Sequence, residues 1–261
     1  MVLSPEMLLF LVGAAVMASC VDAMAGGGGL ISLPALLAVG IPPVPAVATN
    51  KLQSAIGTAG ACIAYARAGH MDLRSYRWPV IAAFAGSVGG ALLLQRVSTA
   101  ILAGLIPALL IAMAGYFTFS PRPSEIDRRG RVGIAGLSLA IGVVGFYDGF
   151  FGPGAGAFYT TIFLALGGLS LLRATAQTKA ANFASNIAGL LTMIHGGHVL
   201  WVAGLAMACG SIVGGQIGSR LAMRFGSRLI RPLLIVMSLA LTAKMLIDPA
   251  NPIHAYLFGA P

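Results

Sequence analysis

The residues of this chain able to do chemistry are two lysines, two aspartates and two glycine-rich runs, all set among apolar residues. One group reads Asp22-Ala-Met-Ala-Gly26-Gly27-Gly28-Gly29 and, further on, Ala48-Thr49-Asn50-Lys51-Leu52-Gln53-Ser54. The other reads Asp148-Gly-Phe-Phe-Gly152-Pro153-Gly154-Ala155-Gly156, then Ala174-Thr-Ala-Gln177-Thr178-Lys179, with Asn182 one turn on. A charge at the centre of a membrane-spanning helix costs on the order of 2.5–3.5 kcal/mol on insertion scales. Lys51 and Lys179 therefore need a use, either as ion-pair partners of Asp22 and Asp148 or as ligands of an anion, and the two are compatible. The glycine runs are expected to interrupt helices, which a bilayer tolerates only where protein or a water cavity satisfies the backbone. A helix restarting there carries about half a positive charge at its N-terminus and binds anions through its free N–H groups. Glycine also lets the backbone come close to a ligand.

Two lysines and these helix starts outweigh two aspartates, so the expected ligand is a small anion. Its candidate contacts are Gly26, Gly27, Gly28, Gly29, Thr49, Asn50, Lys51 and Gln53 in the first group. In the second they are Gly152, Gly154, Gly156, Gln177, Thr178, Lys179 and Asn182. Asp22 and Asp148 are the candidates for coupling anion movement to protons.

The surroundings explain why these runs are not ordinary loops. Of 261 residues, 58% are hydrophobic and 9% charged, against about 25% charged in a soluble domain. Such a chain cannot cover a water-facing surface, and its solvent is mostly lipid. Apolar stretches recur at 7–25, 45–66, 78–94, 101–119, 132–150, 172–194, 199–218 and 229–247, with shorter ones at 30–41 and 157–169. They are continuous rather than alternating, which speaks against an outer-membrane barrel. The expected fold is an all-α polytopic membrane protein, one transmembrane domain over 1–261 with broken helices and about 8–10 transmembrane segments. The net charge of +9 does not indicate nucleic acid, because the arginines sit in short loops beside the spans, where they set orientation. Stretch 7–18 followed by Ser19-Cys20 resembles a signal peptide but has Glu6 in place of a basic region, and is expected to be retained.

The chain repeats itself. Besides the two groups above, Gly69-His70 matches Gly197-His198, the pattern Gly86, Ser87, Gly89, Gly90 matches Gly210, Ser211, Gly214, Gly215, and Pro107 matches Pro232, all in the same order. Repeat 1 covers about 1–119 and repeat 2 about 132–261, joined by a linker at 120–131. The loop charges relate the halves. After the first lysine stretch the loop holds Arg67, Arg74 and Arg77, and the next only Arg96. In the second half the equivalent loop, His195 to His198, has no Lys or Arg, and the next holds Arg220, Arg224, Arg228 and Arg231. Basic loops face the cytoplasm, so the bias has swapped and the repeats are expected to be inverted. That requires an odd number of crossings per half, five if the short stretches count. The linker, with Arg122, Arg128, Arg129 and Arg131, is then cytoplasmic and both termini lie outside.

The remaining residues read more plainly. Gly86 with Gly90, and Gly210 with Gly214, stand four apart, as helix-packing small residues do. Cys20, Cys62 and Cys209 lie in apolar stretches without paired spacing and are expected to be buried thiols, not disulfides or a metal site. His70 with Asp72, and His195 with His198, fall at span ends, and no metal or other cofactor is expected. Arg173 is placed to snorkel to the interface. The expected partners are a small anionic substrate and membrane lipid, with room for a homo-oligomer and none for nucleic acid.

The paired glycine motifs, Ala48-Thr49-Asn50-Lys51-Leu52-Gln53 and Gly145-Phe-Tyr-Asp-Gly-Phe-Phe-Gly-Pro-Gly154 resemble the sulfite exporter TauE/SafE family, over nearly the whole chain. The resemblance implies a bacterial plasma-membrane permease, in a family whose members are linked to export of sulfite, sulfoacetate or other small sulfur-containing or organic anions. The second lysine stretch departs from Thr-Asn-Lys, reading Gln177-Thr178-Lys179, so the site is expected to be only pseudo-symmetric. Inverted repeats with broken helices build secondary transporters, and also channels. An intramembrane enzyme would need a nucleophile–base pair or a metal constellation, and no such spacing stands out.

Overall fold

The computed structural model describes residues 3–98, 101–102, 105 and 130–225. Eight helices occupy them, with no strand among the described residues: α1 (Pro5–Ala25), α2 (Gly29–Ala38), α3 (Pro43–Arg67), α4 (Arg77–Leu94), α5 (Ile134–Phe150), α6 (Ala155–Ala165), α7 (Leu171–His195) and α8 (Trp201–Phe225). They follow eight of the ten apolar stretches to within four residues, except that α8 runs seven residues beyond 218, to Phe225. The other two, 101–119 and 229–247, lie outside the described residues except for 101, 102 and 105. So do Pro107, Pro232, Arg228, Arg231 and the linker through 129.

Local chemistry sets the helix ends. Ser4 accepts a hydrogen bond from the Met7 N–H at 3.3 Å and Pro5 takes the first helical position of α1, a favoured start. The order long, short, long, long occurs twice, with α1–α4 and α5–α8 as the two series. α1, α4 and α8 are each long and apolar enough to cross a membrane. α3 and α7, 25 residues each, carry Lys51 and Lys179.

Burial sorts the helices into an inner and an outer set. Leu9, Phe10 and Met17 of α1, Trp78 and Ile81 of α4, Leu139 and Val143 of α5, and Val202, Leu205 and Val213 of α8 are exposed. An apolar girdle of that extent belongs against lipid. The polar residues of α3 and α7 are buried instead: Thr49, Asn50, Lys51 and Gln53, and Gln177, Thr178, Lys179 and Asn182 are all at most 5% exposed. The cysteines differ from expectation. Cys209 is exposed, and Cys20 and Cys62 are half-buried. An apolar residue type does not tell which side of a helix faces protein and which faces lipid.

The two series interlock. α1 packs on α8, α4 on α5, and α3 on both α7 and α8. At these crossings glycine brings backbones together, as small residues do between membrane helices. A Cβ on Gly86 or Gly90 would run into the carbonyls of Gly142 and Phe146 of α5. A Cβ on Gly210 would lie 2.5 Å from the Val12 carbonyl, and one on Gly214 would strike that of Val16. Gly90→Ala is therefore expected to lower the melting temperature sharply. The adjacent Gly89→Ala should be tolerated, since its Cβ would meet only the Phe146 ring, at 3.4 Å. Thermal melting in detergent separates the two.

Candidate functional site

Both helix breaks form where the glycines stand. α1 ends at Ala25, and Gly26 caps it in the left-handed conformation (φ 76°), its N–H donating to the Asp22 carbonyl at 2.8 Å. Only glycine adopts this conformation without strain. α2 restarts at Gly29. In the second series the break spans Phe151 to Gly154, with positive φ at Gly152 (98°) and Gly154 (81°), and α6 begins at Ala155. Gly156 therefore lies in the first turn of α6 rather than in the break. The two breaks meet backbone to backbone. A Cβ on Gly26 would collide with Gly156, one on Gly156 would come 2.7 Å from the Gly26 carbonyl oxygen, and one on Gly29 would come 2.8 Å from Pro153 Cα.

The four charged residues pair across the two series. Lys51 Nζ of α3 donates to Asp148 Oδ1 of α5 at 2.5 Å. Lys179 Nζ of α7 donates to Asp22 Oδ2 of α1 at 3.0 Å and also to the Asp22 backbone carbonyl. Each half thus supplies the counterion for the other half's lysine. The pairs are not equal. Lys51 and Asp148 are 1% and 2% exposed, whereas Asp22 is 21% exposed beside a buried Lys179. Gly152 sits against the closed pair, since a Cβ there would lie 3.2 Å from Lys51 Nζ and 3.3 Å from Asp148 Oδ1. Asp22 Oδ1 in turn accepts from the Gly28 N–H at 3.4 Å.

A second layer joins the short helices to the lysine helices. Ser32 of α2 donates to Asn50 Oδ1 at 2.5 Å, and Thr160 of α6 shares a hydrogen bond with Thr178 at 3.0 Å. Ser32 and Thr160 are 128 residues apart, as are Asn50 and Thr178, so these are equivalent contacts. Asn50 also accepts from Gln53, whose other end is held by the Ser211 hydroxyl of α8. Thr49 accepts from the Leu200 N–H at 3.1 Å, and Asn182 is bonded by Asn186. Ser87 of α4 donates to the Ser185 carbonyl at 2.6 Å. Tyr147, which has no counterpart in the first half, bonds the Pro153 carbonyl at 2.7 Å and steadies the second break.

Of the residues singled out in the sequence, Lys51, Asp148 and Gly152 come together in one place, and Lys179, Asp22 and Gly28 in another. Asn50 and Thr178 anchor the short helices, and Thr49, Gln53 and Asn182 brace α3 and α7. Ser32, Thr160 and Tyr159 carry no sequence signal taken up above, and Ser87 and Ser211 enter there only as landmarks of the repeat. The shared spacing of Ser32 and Thr160 is the signal that would have found the first two. At the periphery, Asp72 accepts from the Ser75 N–H at 3.0 Å, and the Ser75 hydroxyl, followed by this N–H, holds its carboxyl below the usual range. Among the described residues, no cluster of three His, Cys, Asp or Glu side chains could hold a metal.

The sulfite exporter TauE/SafE family matches residues 11–245. The chain belongs to that family. It is 42% identical over 253 residues to "Probable membrane transporter protein ORF9" of Sinorhizobium sp, covering 97% of each chain. It is 43% identical over 246 residues to "Probable membrane transporter protein YfcA" of Escherichia coli K12, covering 94% of this chain and 91% of that one. A "Probable membrane transporter protein" of Haemophilus influenzae is 41% identical over 242 residues, covering 92% and 94%. No solved structure matches the chain. Family and fold together make it a membrane transport protein.

Proposed function

We propose that the protein is a secondary transporter that exports a small anion, such as sulfite, sulfoacetate or another sulfur-containing or organic anion, and that it is coupled to protons. The observation that carries this reading is the crossed pairing of Lys51 with Asp148 and Lys179 with Asp22 beside the two helix breaks. A buried lysine already matched to a carboxylate on a neighbouring helix has somewhere to go when an anion competes for it. Removing one partner of a buried pair is costly, so the displaced aspartate must be neutralised, and a proton does that. Anion binding and proton uptake become one event.

The unequal exposure of the two pairs supports a transporter over a channel. Asp148 is closed off while Asp22 is partly accessible, as expected if two inverted repeats, about 1–119 and 132–261, exchange states during a cycle. In this reading the protein sits in the bacterial inner membrane with both termini outside and the linker 120–131 in the cytoplasm. Gly152, Gly28, Lys51 and Lys179 are the groups nearest the anion, and Thr49, Gln53 and Asn182 hold their helices in place.

The test is flux in proteoliposomes with a panel of sulfite, sulfoacetate, thiosulfate and simple carboxylates, with internal pH followed in parallel. A saturable, proton-dependent rate for at least one anion is the expected result. An ohmic single-channel current would sink the transporter reading.

A further inference from the structure

The carboxyl of Asp148 has one oxygen on Lys51 and one without a partner. Asp148 Oδ2, Ser185 Oγ and Tyr159 OH are each buried, and none has a hydrogen-bond partner among the described residues. They come from three helices, α5, α7 and α6, and Ser185 stands beside both of the others. Tyr159 and Ser185 are 0% exposed. A buried oxygen left unpaired costs on the order of 1–3 kcal/mol, and three in one place are unusual in a native structure.

We propose that Ser185 and Tyr159 form, with Asp148, a proton-binding site, and that Asp148 rather than Asp22 carries the proton in each transport cycle. Hydroxyl groups both donate and accept, so this trio serves either charge state by turning its hydrogens. With Asp148 ionised, Ser185 or Tyr159 donates to Oδ2. When Lys51 turns to an anion, Oδ2 takes up a proton from water and donates it to Ser185 Oγ, while Ser185 donates to the Tyr159 oxygen. No bond other than O–H is made or broken, and the proton is released to water when Lys51 returns. Hydrogen bonds of this kind are often loose until the working complex forms.

The first half lacks the device. At the spacing that aligns Lys51 with Lys179, Tyr159 corresponds to Ile31 and Ser185 to Gly57. Asp22 faces the Gly28 N–H and Lys179 instead. The other titratable groups near Asp148 are Lys51 from α3, Asp22 from α1 and Tyr147 on its own helix. The α4 residues against this end of α5, Ala83, Gly86, Ser87 and Gly90, carry no titratable group.

The inference rests on the anion–proton reading, and its test stands apart from transport. Infrared difference spectra in detergent read the protonated-carboxyl band directly, and Asp148→Asn identifies which band is Asp148. The band is expected to appear as pH falls. Tyr159→Phe, which removes one oxygen and keeps the ring, and Ser185→Ala should each move its frequency and shift its midpoint by roughly half to one pH unit. Asp22→Asn should leave it in place, and Ser185→Thr should restore it. A band indifferent to both hydroxyl deletions, or one that vanishes with Asp22→Asn, overturns the assignment. A normal band in a protein that moves none of the panel anions would instead refute the transport reading.

Discussion

Lys51→Ala is expected to reduce anion flux to background, and Lys51→Ala combined with Asp148→Ala to recover thermal stability without recovering flux. The single change leaves the Asp148 carboxylate, 2% exposed, without its counterion. Breaking a buried pair in this way costs about 3–5 kcal/mol, whereas replacing both members by apolar groups is often neutral. Melting temperature therefore reports the pair as a structural element. Flux reports Lys51 as a ligand. If the double variant transports at the wild-type rate, Lys51 serves only to neutralise Asp148, and the anion site lies elsewhere. Lys179→Ala should lower the melting temperature less, because Asp22 at 21% exposure retains some solvation. Its effect on flux should be as severe if both lysines meet the anion.

The sequence exposes the four charged residues but not how they pair, and the reason is physical. A lysine and an aspartate in apolar stretches announce a cost that something must offset. Which aspartate answers which lysine depends on how the halves interlock, α1 on α8 and α4 on α5, and no local pattern records that. The helices themselves were legible because lipid thickness fixes their length and glycine fixes their breaks. The short α2 and α6 were visible for the same reason. Inner and outer faces were not, since lipid and protein interior select the same residue types, as Cys209 illustrates. Ser32 and Thr160 escaped because a lone hydroxyl in an apolar helix ordinarily bonds its own i−4 carbonyl. Thr160 donates to the Gly156 carbonyl and can accept from Thr178, while the single hydrogen of Ser32 is shared between Asn50 and, at the longer 3.2 Å, the Gly28 carbonyl.

Gly156→Ala is expected to be among the most disruptive single substitutions in the chain, with a loss of stability above about 4 kcal/mol, the range reserved for a named structural failure. Its Cβ would enter the backbone of Gly26, 2.7 Å from the carbonyl oxygen. The usual relief, a small shift of the neighbour, is closed off. Gly26 is held in a left-handed conformation, and its N–H donates to the Asp22 carbonyl, the acceptor that Lys179 also uses. Moving Gly26 therefore pulls on the Lys179–Asp22 pair. Gly26→Ala should be at least as harmful, adding the strain of a positive φ to the collision with Gly156. Gly13→Ala is the control, since a Cβ there would meet nothing within 4 Å, and it should melt with the wild type. Size-exclusion profiles after stepwise heating measure all three. A Gly156→Ala protein as heat-resistant as Gly13→Ala would mean that the two breaks do not touch. The crossed ion pairs would then lose the contact that holds their helices in register.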